Sequence, residues 1–350
     1  MSAVGILVDA KVFRNITSGK TGNEHIRLYN KASAKNGLTP VYLCLARIHP
    51  SKGYAFGYKY SGSKYSYVKI AIPKVIHNRT MPTSSRDRSR MELLRRRSFV
   101  YNSRNRYLKY RIHRMLAGKF SSHLPVTSGY SRSGLNGMMD RYDSLYVKPQ
   151  SSSIGRGIMK LSRAGSGKWK VQLPGGTTVT ARKTAIQAVD RIARRKPYLI
   201  QRTIPLAQYR GRPYDIRVSV QRGSGGHWQV TGMVGKVARK GSHVTNVARG
   251  GSVKRCEPLF GSGAMNPSKV AGSVKALSLN ITRYLGKRLD RLADVGLDIG
   301  VTSAGKPYFI ELNCRDQRYS FKKAKMTDTF YQTYANPISY AKYLLRKSGK

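Results

Sequence analysis

Two short extended runs near the C-terminus, residues 295–301 and 307–313, constrain this chain more than any other feature. They carry Asp298, Glu311 and Asn313 in a sequence that has 66 Lys and Arg against only 15 Asp and Glu. A surface this basic keeps few carboxylates unless they are needed. Because side chains alternate between the faces of a strand, Glu311 and Asn313 share one face and can converge with Asp298 as oxygen ligands. Divalent cations that carry nucleotide phosphates prefer such ligands, so the pattern predicts a magnesium site.

Length and composition bound the class of protein. With 350 residues, 40% of them hydrophobic, the chain is long enough for two or three packed units with a core. Its three cysteines are scattered and odd in number, so they build neither a disulfide framework nor a zinc spacing. The N-terminal apolar run is too short for a signal peptide, and no stretch approaches the roughly 18 apolar residues of a membrane span. We therefore expect a soluble protein made in the cytoplasm.

The formal net charge of +51 has several interpretations. It is a typical footprint for nucleic acid, anionic lipid, or an acidic polymer or substrate. The 23 tyrosines and 34 glycines would also suit a protein embedded in an anionic, spore-type matrix. The most basic stretch, 86–116, is predicted to include a helix whose apolar face holds Leu108, Ile112 and Met115. Its arginines either bind polyanions or form a solvated helix face.

The order of periodic segments predicts a mixed α/β fold. Residues 4–9 and 40–46 are predicted strands that flank a helix over 22–35, which is the spacing of a small parallel unit. A hairpin or loop follows at 52–67, and a strand at 68–72. A break at 124–127 opens a new unit. The later segments are strands and turns over 143–180, a helix at 182–195, strands at 213–221 and 227–238, a helix at 267–291, the two strands above, and a final helix over 337–347.

A lysine at a strand end is the first candidate for phosphate binding. In the run at 144–158, Leu145 and Val147 are predicted to face a core, while Tyr146 and Lys148 share the opposite face. Lys148 then precedes a turn rich in serine and glycine at 151–157, where small residues let backbone N–H groups approach phosphate oxygens. The run is no Walker A motif, and a plain β-turn is the alternative.

The strand at 212–222 also alternates. Its core face is predicted to hold Tyr214, Ile216, Val218 and Val220, and its other face a polar row. The polar row contains Asp215 and Arg217, which either form a structural salt bridge or bind a nucleotide. In the second case Arg217 faces a phosphate and is oriented by Asp215 or by the ribose. Further along, Lys236 and Asn246 stand in a basic segment of a type that ordinary loops also contain.

The two runs near the C-terminus make the strongest site. On the second run, Tyr308, Ile310 and Leu312 are predicted to fill the face opposite Glu311 and Asn313. Two carboxylates and an amide on adjacent strands would leave positions for phosphate oxygens and water on the metal. The alternative is a pair of solvated acids at strand ends.

In this order and spacing, the motifs resemble the ATP-grasp superfamily, and more narrowly the YheC/YheD group of endospore coat-associated proteins. The similarity runs from about residue 96 to the C-terminus, and more faintly through the N-terminal unit. The segments that carry it are YNSRNRYLKYRIHRML, LPVT, YVKPQSSSIGRGI, YDIRVSVQR, TNVARGG, and LDIG followed by FIELN. The resemblance implies an ATP-grasp fold with a Rossmann-like pre-ATP-grasp unit at 1–120, a lid subdomain at 121–203 and a C-terminal subdomain with the metal site at 204–350.

The resemblance also implies roles, with ATP and Mg²⁺ as cofactors. The residues expected to bind the nucleotide are Lys148, Ser153, Gly155, Gly157, Gln201, Arg202, Thr203 and Asp215. Those expected to take part in catalysis are Arg217, Lys236 and Asn246. Those expected to hold magnesium are Asp298, Glu311 and Asn313. The implied reaction phosphorylates a carboxylate with ATP, and an amine or similar nucleophile then displaces phosphate from the acyl phosphate.

Two departures from the family pattern and two rival functions remain. Lys236 stands where relatives commonly have a phosphate-binding arginine, so the bidentate fork is lost. The sequence after Asn313 reads CRDQRYSF, without the Pro-Gly of many relatives, which puts the acceptor pocket in doubt. One rival is a non-catalytic coat protein that binds anionic spore-envelope polymers on an ATP-grasp scaffold. The other is a nucleic-acid-binding protein, although no helix-turn-helix, zinc finger or aromatic stacking platform is predicted.

Overall fold

The computed structural model describes residues 2–152, 155–242, 245, 247, 250–263 and 265–348. Over these residues the chain forms three sheets, each built from one successive part of the sequence. Helices cover the sheets, so the mixed α/β fold predicted from the sequence is confirmed. No helix in the described ranges has the length and apolar composition that crossing a bilayer requires.

The first sheet is parallel at its centre. Its strands and helices are β1 (Ser2–Leu7), α1 (Ala10–Arg14), α2 (Ile26–Lys35), β2 (Leu38–His49), β3 (Tyr54–Ser61), β4 (Lys64–Ala71), β5 (Val75–Asn78), α3 (Ser85–Arg97) and β6 (Phe99–Tyr101). The strand order is β4-β3-β2-β1-β5-β6, and β1 pairs in parallel with both β2 and β5. Parallel strands need crossover connections, which α2 and α3 supply. The segment at 52–72, predicted as a hairpin or loop and then a strand, is the antiparallel edge hairpin β3–β4.

The second sheet is antiparallel, and we call the unit built on it the lid, after the role expected for this part of the chain. Its elements are α4 (Lys109–Phe120), a 3₁₀ turn at Ser121–His123, β7 (Thr127–Gly129), α5 (Arg132–Arg141), β8 (Ser144–Pro149), β9 (Met159–Arg163), β10 (Lys168–Leu173), β11 (Gly176–Ala181), α6 (Arg182–Ala193) and β12 (Tyr198–Arg202). The strand order is β11-β10-β9-β8-β12-β7. The predicted faces of β8 are confirmed, because Leu145 and Val147 are buried in the lid core while Lys148 is not.

The third sheet carries most of the polar residues predicted for the site. Its elements are β13 (Gln208–Tyr209), β14 (Arg212–Arg222), β15 (Trp228–Val237), β16 (Ser252–Lys254), α7 (Glu257–Phe260), α8 (Pro267–Gly286), β17 (Asp294–Val301), β18 (Pro307–Asn313), α9 (Tyr319–Lys323) and α10 (Thr327–Lys347). Its main order is β16-β15-β14-β17-β18, and β13 pairs with β14. The apolar face of β14 packs with α8 in one core, as its alternation predicts.

The C-terminal helix joins the first and third sheets. Tyr334 and Ile338 of α10 share a core cluster with Val4 and Tyr42 of the first sheet and Val234 of the third. Helix α10 therefore packs against both the first and the third sheet in one core cluster.

Helix α10 begins ten residues earlier than predicted. The prediction placed its start at about residue 337. In the structure Pro337 lies inside the helix. A proline there leaves the carbonyl four residues earlier without its usual donor, and the Thr333 carbonyl instead accepts a hydrogen bond from Gln221 Nε2 at 2.9 Å.

Candidate nucleotide and metal site

A cavity of about 490 Å³ lies between the lid and the polar face of the third sheet. Ten of the residues predicted for the site line it: Lys148, Gly155, Gln201, Arg202, Asp215, Arg217, Lys236, Asp298, Glu311 and Asn313. Two others, Ser153 and Asn246, lie outside the described residues. The fold thus brings together side chains that are far apart in sequence.

The lysine at the strand end is held by the neighbouring strand. Lys148 Nζ donates to Gln201 Oε1 at 2.7 Å, and Gln201 Nε2 donates in turn to Thr127 Oγ1 at 2.9 Å. Burial, and after it the nearby Lys109 ammonium, lower the pKa of Lys148 to about 8, although Glu311 and Asp215 oppose the shift. A phosphate beside this ammonium would favour its charged form and raise the pKa again.

The end of strand β12 leads from the lid toward the third sheet, and we call residues 200–203 there the hinge segment. Gln201 and Arg202 line the cavity. Thr203 was predicted to bind the nucleotide, but its contacts are with the lid: its hydroxyl accepts from Ser144 Oγ at 2.9 Å, and its N–H donates to the Ser144 carbonyl at 3.0 Å. Thr203 therefore fixes the hinge segment.

The predicted turn after Lys148 requires glycine at two described positions. Gly155 and Gly157 adopt φ angles of 64° and 74°, in the left-handed region that side chains disfavour. A Cβ at Gly157 would also lie 3.1 Å from both Pro149 Cγ and the Tyr198 hydroxyl. Gly155 lines the cavity, so backbone is exposed where phosphate oxygens would need N–H donors.

A buried cluster of charges forms the floor of the cavity. Lys236 Nζ lies 2.9 Å from Asp215 Oδ1 and 2.9 Å from Asp298 Oδ1. Arg217 donates from Nε to Asp298 Oδ1 at 2.7 Å and from Nη1 to Asp316 Oδ1 at 3.1 Å. The strand register explains these contacts, since Asp215 lies opposite Lys236 and Arg217 lies opposite Asp298.

The prediction that Asp215 orients Arg217 was wrong. The two residues are neighbours on one face of β14, but Asp298 and Asp316 hold the guanidinium. Asp215 instead contacts Lys236 and accepts a hydrogen bond from Thr245 Oγ1. Cross-strand partners are closer than second neighbours along a strand, so they decide the pairing.

The pKa values in the cluster follow from burial and charge. Burial alone would raise the pKa of Asp298, but Arg217 and Lys236 hold it well below its usual range. Burial raises the pKa of Asp215, with Lys236 opposing the shift. The pKa of Lys236 is raised because its two carboxylate partners outweigh the desolvation that would lower it.

The predicted metal ligands lie on paired strands. Asp298 is directly opposite Glu311 in the register of β17 and β18, and Asn313 Nδ2 is 3.5 Å from Asp298 Oδ2. Glu311 forms an ion pair with Lys109. Among the described residues no three His, Cys, Asp or Glu side chains cluster as a metal site. Mg²⁺ binds through one or two carboxylates together with phosphates and water, so two carboxylates and an amide fit it.

A bulge in β18 corrects one predicted face. The register shifts between Asp298 and Ile299, so one extra residue is inserted opposite this pair. As a result Phe309 is buried in the core and Ile310 lines the cavity, whereas Ile310 had been assigned to the core face. The bulge places an apolar side chain beside the two predicted ligands.

Three functional candidates were missed in the sequence. Lys109 begins α4, lines the cavity and contacts Glu311. Thr245 contacts Asp215, and Asp316 holds Arg217 from beneath the cavity floor. The scarcity of acids was a usable signal for Asp316, which follows Asn313 by three residues. Lys109 gave no distinctive signal among so many basic residues.

The comparisons with known proteins agree with this architecture. A family model described as YheC/D like ATP-grasp matches residues 98–344, well over half of the chain. The chain is 25% identical to the endospore coat-associated protein YheD of Bacillus subtilis (strain 168) over 59% of its own length and 47% of that protein's. It is 20% identical to the endospore coat-associated protein YheC of the same organism, over 65% of this chain and 64% of the relative. The chain therefore spans about half to two thirds of the length of these relatives.

A solved structure supports the fold. The chain is similar to D-cycloserine synthetase DcsG, with a TM-score of 0.58, 11% sequence identity, and coverage of 96% of this chain and 100% of that one. At this identity the likeness shows the fold alone.

Proposed function

The chain belongs to the YheC/D like ATP-grasp family, and from this premise we propose that it is an ATP- and magnesium-dependent ligase that joins a carboxylate to an amine or similar nucleophile. The observation that carries the proposal is the convergence of Lys148, Arg217 and Lys236 with Asp298 and Glu311 on one cavity. Cations for phosphates and carboxylates for a metal are the two sets of groups that phosphoryl transfer needs.

The nucleotide is proposed to bind between the lid and the third sheet. Lys148 and the backbone of the glycine turn would contact phosphate oxygens, while Gln201 and Arg202 of the hinge segment would lie against the adenine. Asp215 would face the nucleotide from β14. Among the described lining residues, six cations face three carboxylates, an excess of three positive charges that suits a polyphosphate: Lys109, Lys148, Arg202, Arg217, Lys236 and Lys323 against Asp215, Asp298 and Glu311.

Asp298, Glu311 and Asn313 would hold magnesium. The metal would supply positive charge that neutralises the charge developing on the phosphate oxygens during transfer. Asn313 would turn its amide so that the oxygen faces the ion, since the amide nitrogen now faces Asp298.

In the structure, two lysines form ion pairs with the carboxylates that are proposed to face the nucleotide and the metal. Lys236 contacts Asp215 and Asp298, and Lys109 contacts Glu311. Removing a cation from a buried carboxylate is costly unless another replaces it. We therefore propose an exchange, in which Lys236 and Lys109 leave the carboxylates that would hold the metal and turn their ammonium groups to the incoming phosphates. Magnesium and nucleotide should accordingly bind together better than either alone.

In the proposed reaction a substrate carboxylate oxygen attacks the γ-phosphorus, and ADP leaves. The nucleophile's lone pair then attacks the acyl carbon of the acyl phosphate, its proton is lost, and inorganic phosphate leaves. Arg217 and Lys236 would stabilise the phosphoryl oxygens through the first step. Because Asp298 and Asp316 hold Arg217 in place, its guanidinium would need little rearrangement when negative charge develops on the phosphoryl oxygens.

The link to the spore is also proposed. Both relatives are named as endospore coat-associated proteins. We propose that this protein is made in the cytoplasm and acts on, or becomes part of, material of the spore coat. The alternative is a non-catalytic coat protein with the same fold, for which nucleotide binding would not be required.

The test is calorimetric titration of ATP with magnesium against the wild type and Glu311→Gln. We expect ATP binding to require magnesium. Its affinity should be at least tenfold weaker in Glu311→Gln, because the variant loses one charged contact to the metal. Asp143→Asn is the matched control, because Asp143 is an exposed acid of the lid paired only with Arg163 among the described residues. Equal binding by all three proteins, or no binding, would overturn the proposal. A screen of carboxylates for ATP-dependent phosphate release follows a positive result.

A further inference from the structure

An aromatic row covers one face of the edge hairpin β3–β4. In the register, Tyr58 lies opposite Tyr67 and Tyr60 opposite Tyr65, and Tyr54 and Phe56 continue the row on β3. The rings form two groups, with centroid distances of 5.2 to 6.0 Å through Tyr54, Phe56, Tyr67 and Tyr58 and of 4.9 Å between Tyr60 and Tyr65; Phe56 stacks on Tyr67 with an interplanar angle of 17°. We call these six residues, Tyr54, Phe56, Tyr58, Tyr60, Tyr65 and Tyr67, the aromatic row.

Packing explains only part of the row. Tyr58, Tyr60 and Tyr65 pack against the core cluster shared by the first sheet and α10. Tyr67 is 50% exposed, although it is a large ring on an edge strand. Cross-strand aromatic pairs stabilise a hairpin, but a ring that is half in water offers its face to a ligand.

A basic cleft continues the row at the hairpin turn. Its volume is about 750 Å³, and its lining includes Arg27, Lys31 and Lys64 together with Tyr60 and Tyr65 of the row. Tyr65 is held in place by a hydrogen bond from Asn30 Nδ2 at 2.7 Å. No residue lines both this cleft and the nucleotide cavity in the described part of the chain.

Four cations of the cleft and the row have no acidic partner among the described residues. The sequence from His25 to Arg86 contains neither Asp nor Glu. Within the described residues, Arg27, Lys31 and Lys64 take part in no ion pair, and neither does Lys69, whose Nζ lies 4.3 Å from the Tyr54 ring centroid. Their charge is therefore available to a ligand.

We propose that the aromatic row and the basic cleft form a binding site for single-stranded nucleic acid. Unpaired bases have flat faces that stack on exposed rings, and their phosphates meet the cations of the cleft, which is the combination found in single-strand binding proteins. From Tyr54 to Tyr60 the strand rises by roughly 20 Å, enough for a few nucleotides. An acidic peptide would satisfy the cations but leave the rings unused. Duplex bases are already stacked on one another and cannot reach Tyr67.

The proposal is tested by fluorescence anisotropy with a labelled oligothymidylate of about ten nucleotides. We expect Tyr67→Leu to weaken binding at least about fivefold, which is the lower limit for losing one base–ring stack, whereas Tyr67→Phe retains it. Lys64→Gln with Lys69→Gln should lower the slope of log K against log salt by about 1.4. Arg86→Gln with Arg88→Gln, a charge-matched change on exposed residues of α3, should lower this slope less. Saturating ATP should leave oligonucleotide binding unchanged, since the two cavities are separate.

Three results would overturn the proposal. The first is equal affinity for the oligothymidylate and a duplex of the same length, with no response to Tyr67→Leu. The second is displacement of the oligothymidylate by polygalacturonate at an equal concentration of charge, with the same dependence on Tyr67, which would assign the surface to an acidic polysaccharide. The third is competition by ATP, which would place the oligonucleotide in the nucleotide cavity. Thermal unfolding of each variant verifies that the hairpin still folds.

Discussion

The pKa of Lys148 leads to a pH dependence of ATP binding that can be calculated. Because burial lowers that pKa to about 8, Lys148 is half neutral at pH 8 and about nine-tenths neutral at pH 9. Phosphate oxygens favour the ammonium form, so ATP binding raises this pKa and takes up a proton. Between pH 7 and pH 9 the affinity for magnesium–ATP should therefore fall about tenfold, equivalent to about 1.4 kcal/mol.

The assay is calorimetric titration in pairs of buffers that differ in ionisation enthalpy. The difference between paired enthalpies gives the number of protons taken up, which should be about half a proton at pH 8 and nearly one at pH 9. Lys148→Arg is the decisive variant, because a guanidinium stays charged throughout this range. Its affinity should be independent of pH from 7 to 9, whatever its absolute value.

Two results would refute this reasoning. Proton uptake that persists in Lys148→Arg would assign the titration to another group, and Lys160 on the same lid is the candidate because burial also lowers its pKa. Wild-type affinity that does not change between pH 7 and pH 9 would mean that Lys148 does not contact the phosphates.

Three further predictions follow from the charge networks. Asp298→Asn should lower the unfolding free energy by about 3–5 kcal/mol, because Arg217 and Lys236 lose a buried partner, whereas Glu311→Gln should cost less than about 1 kcal/mol; denaturant unfolding of both variants checks this. Burial lowers the pKa of His77 in the folded protein to about 4 from 6.5, so its contribution to the free energy of unfolding is full above pH 6.5, and about 3 kcal/mol of that free energy is lost as the pH falls to 4. If the curve of unfolding free energy against pH is no flatter in His77→Gln than in the wild type, this prediction is wrong. Gly296→Ala puts a Cβ 2.3 Å from Asp316 Oδ1 and should weaken ATP binding by displacing the support of Arg217, whereas Gly137→Ala, with open space around it on α5, should not.

Local alternation was enough to predict the strands of the site. On β8 and β14 the apolar residues at every second position identified the core face, and the structure agrees. Alternation failed at Ile310, because a bulge inserts this residue opposite the Asp298–Ile299 pair and interrupts the alternation between the two parts of β18. A bulge depends on the partner strand, which one strand's sequence does not specify.

The residues missed in the sequence act through long-range contacts. Lys109 and Glu311 are some two hundred positions apart, and Arg217 and Asp316 about one hundred. Helix α10 continues through Pro337, and the Thr333 carbonyl that the proline leaves without a helix donor accepts a hydrogen bond from Gln221 of β14, more than one hundred positions away. The aromatic row was missed for the same reason, since the tyrosines of β3 and β4 form one surface only once their register is known.

The buried acids show which of the charged residues are paired inside the fold and which lie on the surface. Five carboxylates are buried in the described residues: Glu24, Asp215, Asp294, Asp298 and Asp316. Four cations are buried with them: Arg79, Arg217, Lys236 and Arg318. Asp316 connects the two halves of this network, because its carboxylate holds Arg217 while its carbonyl accepts from Arg79 Nη2 at 2.9 Å.

The interior is therefore close to neutral, and the net charge of +51 resides on the surface. Surface charge of one sign destabilises a compact chain by self-repulsion, so the fold gains nothing from it. Nor does the nucleotide cavity require it, since an excess of three positive charges is enough for a polyphosphate there. A polyanion bound outside the cavity, as proposed for the edge hairpin of the first sheet, would use part of the remaining charge. There Lys64 and Lys69, which form no ion pair within the described residues, belong to the same strand as the exposed ring of Tyr67.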